Sequence, residues 1–214
     1  MKQHGKGRIY ICMNSPFLTA DQQLSLAYAG NRQALYCSLF NLEAAMAQIA
    51  LTAHEPLLAQ IKLAWWAEDG LCNPKGGSAI GDAVLAVSKV ADCQMIVPLF
   101  VEAWKAAAHG PDSFGEAGTR RAEAWSAALG TSAETVMDAI KAWAVLDLFT
   151  VTKAKADGLG KSQLLTLRRY AKPLAVLALL TSRDAQVDQA MRSKPGSPKR
   201  IALAFAFIAM GLIL

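Results

Sequence analysis

Apolar residues along this 214-residue chain recur at steps of three and four, and no useful stretch alternates at the two-residue period of a strand. The pattern predicts a first helix opening at Thr19–Ala20–Asp21, with Thr19 as N-cap, and running through Leu24 to Ala29. Gly30–Asn31 interrupts it. From Arg32 to Leu51 the residues Leu35, Leu39, Leu42, Met46 and Ile49 mark one face of a long helix. A third helix opens at His54–Glu55–Pro56, where proline's missing N–H costs nothing and glutamate suits the positive end of the dipole. It closes near Asp69–Gly70.

Cys72 to Ser78 is the clearest loop, and helical patterning resumes over Ile80–Val90 and Cys93–Ala108. Pro98 sits close enough to the start of the latter to be tolerated, or else kinks it. His109 to Ser113 reads as a turn and Phe114–Leu129 as a helix capped by Gly130. Ser132 with Thr135 opens the next helix, Ala133–Ala154; Gly158 to Ser162 breaks the chain, and Leu164–Thr181 follows. Ser193 to Pro198 is a turn before a last apolar helix, Arg200–Leu214. The expected fold class is therefore all-α, with 1–18 a loose lead-in and 19–214 a single helical domain. The last helix is apolar for about fourteen residues, short of the roughly 20 that cross a bilayer. A buried closing helix is expected there, with an interfacial membrane contact as the alternative.

Composition supports this picture. Hydrophobic residues make up 53% and charged residues 18%, with alanine and leucine abundant and β-branched residues sparse. The formal charge of +5 could attract a diphosphate or a membrane surface, but a weak positive balance is ordinary, and nucleic acid is not an expected partner. Cys12, Cys37, Cys72 and Cys93 form no CxxC pair. That argues against zinc and a disulfide framework and suits a cytoplasmic setting, with Cys37 and Cys93 as small core residues. His4, His54 and His109 stand apart, so no histidine metal site is expected. Gly158-Leu-Gly-Lys-Ser162 lacks a phosphate loop's spacing, with Lys155 where its first glycine belongs, and reads as an interhelical turn. The basic doublets Arg120–Arg121, Arg168–Arg169 and Lys199–Arg200 read as exposed or helix-end charges.

Trp65 and Trp66 are the most informative pair. Neighbours on a helix point about 100° apart, so one can enter the core while the other lines a groove or a second helix. Their segment, EPLLAQIKLAWWAEDG, resembles the signature EPxLxQxRLxWWRxxL of the squalene/phytoene synthase family, particularly its shorter, divergent bacterial members. LAYAGNRQALYCSLFNLEAAMA upstream, and RRAEAWSAALG, AIKAWAVLDLF, LRRYAKPLAVLALL and GSPKRIALAFAFIAMG downstream, resemble further family helices, from about Leu24 to Gly211.

The resemblance implies an isoprenoid-synthase-like helical bundle around a central apolar cavity. In active members, aspartate pairs on two facing helices hold Mg²⁺ and the transferase joins two prenyl diphosphates head to head. Carboxylates four residues apart share one helical face, which is why that chemistry needs that spacing. Here the first motif's place is taken by Asn41 to Gln48, where Glu43 is the only acid and Ala47 stands four residues on. The second falls on Trp143 to Ala154, where Asp147 is the only acid and Leu146 and Thr150 replace the asparagine and aspartate.

The expected protein is thus a catalytically degenerate family member that binds a prenyl diphosphate or other apolar lipid, or acts as a helper. The divergent branch includes mitochondrial complex I assembly factors, so an assembly role follows by analogy. The alternative is an active Mg²⁺-dependent prenyltransferase of squalene or phytoene biosynthesis, cytoplasmic or membrane-peripheral. In that case Glu43 and Asp147 are the metal-side acids, Arg32 and Lys62 hold diphosphate, and Tyr28, Trp65 and Trp66 line the cavity. Without catalysis, Glu43 is a solvated helix charge, Asp147 pairs with a lysine, and the tryptophans are plain core.

Overall fold

The computed structural model describes residues 17–72, 74, 76–187 and 194–210. Most of the expected lead-in (1–16), part of the Cys72–Ser78 loop and the last residues of the closing helix (211–214) lie outside them. Among the described residues the architecture is all-helical. In chain order the helices are α1 (Ala20–Leu26), α2 (Gln33–Thr52), α3 (Pro56–Ala67), the single turn α4 (Asp69–Cys72), α5 (Ala79–Ser88) and α6 (Cys93–Ala107). Then come α7 (Phe114–Leu129), α8 (Glu134–Val151), α9 (Lys161–Tyr170), α10 (Lys172–Gln186) and α11 (Pro198–Met210).

Helix ends follow the local chemistry. The Thr19 side chain accepts from the Gln22 backbone N–H while the Gln22 side chain accepts from the Thr19 N–H, a reciprocal capping box at α1. Asp92 caps α6 by accepting from the backbone N–H groups of Gln94 and Met95. Pro98 is accommodated inside that helix. Gly130 ends α7 at φ 64°, a left-handed conformation that costs glycine no Cβ clash.

Four expectations need correction. The predicted Leu164–Thr181 helix is two, α9 and α10, broken at Ala171 (φ −144°, ψ 70°). Pro173 cannot donate to the Arg169 carbonyl, so a continuous helix is blocked there, while as the second residue of α10 it costs nothing. Helix α8 opens at Ala133 with no side-chain cap, so Ser132 does not cap it. Helix α3 stops at Ala67, and Asp69–Gly70 belongs to the separate turn α4. Cys37 is a buried core residue as expected, but it is disulfide-bonded, while Cys93 is free. Cysteine spacing says nothing about which thiols meet in space, and the disulfide removes the cysteine-based argument for a reducing cytosol.

Helices α6, α7 and α8 pack as consecutive neighbours; α2 lies against α5, α6 and α3. Helix α10 packs on α8, α9 and α1, and α11 covers α10. Trp104, Trp125, Trp143, Phe40, Phe100 and Phe114 are fully buried, and Trp125 links Tyr36 to Trp143 through ring contacts of 5.8 and 5.9 Å. Residues Gly30–Thr52 are long and apolar enough to cross a membrane by composition, yet 56% of that window is buried inside the fold, as expected of a core helix.

Candidate functional site

On α7 the positions Phe114, Ala117, Gly118, Arg121 and Trp125 recur at helical spacing and all are buried. Four are apolar or small; the fifth is an arginine. The same substitution of charge for core occurs on α2, where Glu43 shares the buried register of Leu39, Met46 and Ala50. On α8, Asp147 follows Ile140, Trp143 and Ala144. These three charged residues meet.

The Arg121 guanidinium takes Glu43 as a fork. Its Nε donates to Oε1 at 2.7 Å and its Nη2 to Oε2 at 3.0 Å. Nη2 also donates to Asp147 Oδ2 at 2.7 Å, and Nη1 to the Ala144 carbonyl at 2.8 Å. The guanidinium carbon lies 4.9 Å from the Trp104 ring centroid and 5.0 Å from that of Trp143. The side chains of Arg121 and Glu43 are 1% and 4% exposed, that of Asp147 25%. Burial pushes the Glu43 carboxyl up from its ordinary value, against the opposing pull of Arg121. Burial also works against charge on Arg121, but Glu43 and Asp147 together outweigh it and hold the guanidinium charged.

This cluster forms one end of a cleft of about 370 Å³ whose walls include Ala44, Ala47, Leu177 and Leu180. Arg200, from α11, lines the same cleft and repeats the arrangement: its Nε donates to Asp21 Oδ1 at 3.1 Å and its Nη1 to Asp184 Oδ1 at 2.8 Å. Its Nη2 bonds Asp21 Oδ2 at 2.5 Å. Each of two buried arginines thus bridges two acids, four carboxylates against two cations. Among the described residues of the cleft wall, acids outnumber cations.

The sequence brought Glu43 and Asp147 into consideration, and the structure places them on one guanidinium. Glu43 is not a solvated helix charge, and the partner of Asp147 is an arginine, not a lysine. Two of the basic doublets depart from the expectation of exposed or helix-end charges. Arg120 is half-buried at the surface and pairs with Glu116 and Glu102, whereas Arg121, one position on, turns 100° into the core. Arg200 is likewise buried beside exposed Lys199. The signal that could have found both is a cation on the apolar register of a helix.

The other candidates lie elsewhere. Tyr28, Arg32 and Tyr36 line a separate surface hollow with Gly130, and Arg32 donates to the Leu129 carbonyl at 3.0 Å. Lys62 is exposed beside His54 and Glu55. Trp66 is buried and Trp65 is 48% exposed, in edge-to-face contact at 4.7 Å; the split between core and surface expected of adjacent tryptophans is present. None of Tyr28, Arg32, Lys62, Trp65 and Trp66 lines the Arg121 cleft.

Magnesium does not fit the cleft as it stands. Divalent hard cations take several oxygen ligands, and both lone acids here are already committed to a cation. Among the described residues no group of three or more histidine, cysteine or acidic side chains could hold a metal. No protein-family model, curated protein or solved structure matches the chain.

Proposed function

We propose that this chain is a non-catalytic counterpart of the squalene/phytoene synthases, with an isoprenoid-synthase-like arrangement, that holds an uncharged prenyl-type lipid and serves as a binding or helper protein. The observation that carries the reading is Arg121. A fixed guanidinium sits where the two candidate metal-side acids converge, supplying permanently the positive charge that a metal would bring only when bound. The resemblance of the Glu55–Trp66 run supports the ancestry, and the all-helical architecture agrees with it. A cleft of about 370 Å³, with Ala44, Ala47, Leu177 and Leu180 beside the charged residues of its wall, falls within the ~300–1,000 Å³ of small-molecule sites.

Charge selects among lipids. A diphosphate needs unengaged cations, but Arg121 spends its donors on Glu43, Asp147 and Ala144, and Arg200 is engaged by Asp21 and Asp184. With four carboxylates in the wall, a prenyl alcohol or hydrocarbon is the better match than its diphosphate.

The test uses the purified full chain with farnesyl or geranylgeranyl diphosphate and Mg²⁺, reading pyrophosphate release. Background release is expected, together with magnesium-independent binding of farnesol, tighter than that of farnesyl diphosphate and lost in a cleft-filling Ala44→Phe variant. Clear turnover abolished by Glu43→Ala would establish the transferase instead.

A further inference from the structure

Helix α11 has two unlike sides. Ala204 and Phe207 are fully buried, while Ile201 and Phe205 are 46% and 59% exposed. Ile201, Phe205 and half-buried Ile208 fall at i, i+4 and i+7, so one continuous apolar stripe faces outward, and the helix has no polar residue from Ile201 onward. At its C-terminal end the stripe runs into a basic hollow where Ile208 meets Leu165, Arg168, Arg169 and Lys172. Arg168 is fixed there, donating to the Ile208 carbonyl at 2.8 Å with its guanidinium carbon 5.9 Å from the Phe207 ring centroid. Arg169 and Lys172 are exposed, as is Tyr170.

The charge balance of this face is one-sided. Helix α9 carries Lys161, Arg168 and Arg169 with no acid, and α11 carries Lys199 and Arg200 with no acid. Helix α10 adds Lys172 and Arg183 against Asp184, its single acid, which Arg200 already occupies. Arg200 is buried between Asp21 and Asp184 and does not face out, but these three helices still carry Lys161, Arg168, Arg169, Lys172, Arg183 and Lys199, a large share of the chain's basic character. An exposed apolar stripe bordered by cations on one side of the molecule is the pattern of a segment that lies in a membrane interface, aliphatic and aromatic side chains among the acyl chains and cations at the headgroups.

We propose that the α9–α11 face docks on an anionic lipid bilayer. Ile201 and Phe205 insert at the level of the acyl boundary, and Arg169, Lys172 and Lys199 meet the acidic headgroups. The contact is peripheral, because the opposite side of α11, Ala204 and Phe207, is fully buried in the fold. A second apolar stripe, Leu57, Ile61 and Trp65 on α3, is also exposed but has Lys62 as the only cation on its helix, so it serves as the control.

The experiment is sedimentation of the full chain with vesicles of phosphatidylcholine alone or mixed with phosphatidylglycerol, whose anionic headgroup sets a negative surface potential, at low and high salt. Binding is expected only to the anionic vesicles, and salt weakens it. Arg169→Gln and Lys172→Gln each weaken it roughly five-fold. Phe205→Ser, at an exposed site that leaves thermal stability unchanged, weakens it at least as much, and Ile61→Ser has no effect. Failure to bind anionic vesicles, equal binding to neutral ones, or an equal effect of Ile61→Ser overturns the proposal. So does a concentration-dependent dimer in sedimentation velocity that Phe205→Ser abolishes, because the stripe would then be covered by a second copy.

Discussion

Arg121 shows how one side chain changes what its neighbours can do. A buried ion pair adds little net stability over apolar residues of the same shape, but removing one partner strands the other. Arg121→Met leaves Glu43 charged and enclosed, and the expected loss is about 3–5 kcal/mol at neutral pH, read by urea unfolding. The pH dependence has a definite sign. Burial already raises Glu43, and without Arg121 the carboxyl rises further. A carboxyl raised in the folded state contributes its full stability below its unfolded value and loses it as pH climbs through the folded one. The variant should therefore be least impaired near pH 4–5 (about the ordinary carboxyl value) and worst at pH 7. Adding Glu43→Gln should restore part of the loss at pH 7, since the stranded charge is gone. Equal losses at both pH values would mean that Arg121 acts through packing between Trp104 and Trp143.

At the level of elements, the close approach of α7 to α8 is what delivers Arg121 to Ala144 and Asp147. Gly118 makes that approach feasible. A Cβ there would fall 2.2 Å from Val145 Cγ2 and 3.0 Å from the Val145 backbone nitrogen. The side chain could turn away, but the backbone could not. Gly118→Ala gains up to about 1 kcal/mol of helix propensity and loses about 1–3 kcal/mol to overpacking, so a net fall in thermal stability is expected. Gly115→Ala, on the same helix with nothing within 4 Å, should be neutral or stabilising. If both behave alike, α7 and α8 are not in register-critical contact. The helix boundaries tell a related story. Thr19, Pro56 and Gly130 act within their own turns and are legible as caps and starts; the break at Ala171 is also local, set by Pro173, but the apolar run around it hides it in the linear pattern.

Across the whole molecule, Arg200 ties the last described helix to the first. Its bonds to Asp21 on α1 and Asp184 on α10 span 179 and 16 residues of sequence. Arg200→Gln leaves those two acids facing each other across the cleft. Hydrogen exchange should then show lost protection at the start of α11 with α7 and α8 still protected, because there α11 otherwise rests on the small cluster of Val176, Leu180 and Ala204, while Phe207 holds its far end to the main core. Uniform deprotection of every helix would instead mean that α11 unfolds with the core.

By itself the sequence determined the helical class and most helix boundaries; Glu43 and Asp147 drew notice only through the family resemblance. Periodicity and capping depend on residues within a few positions of each other, and such information survives in a linear string. Tertiary structure alone decided that Glu43 meets Arg121 across 78 residues, and that Asp147 meets it across 26. It also decided that Trp65 and Trp66 stand apart from that meeting point, that Cys37 is bonded, and that α11 shows solvent an apolar stripe. Each of these depends on which helix faces which, and a side chain's charge becomes a site only when another helix brings its counterpart within bonding distance.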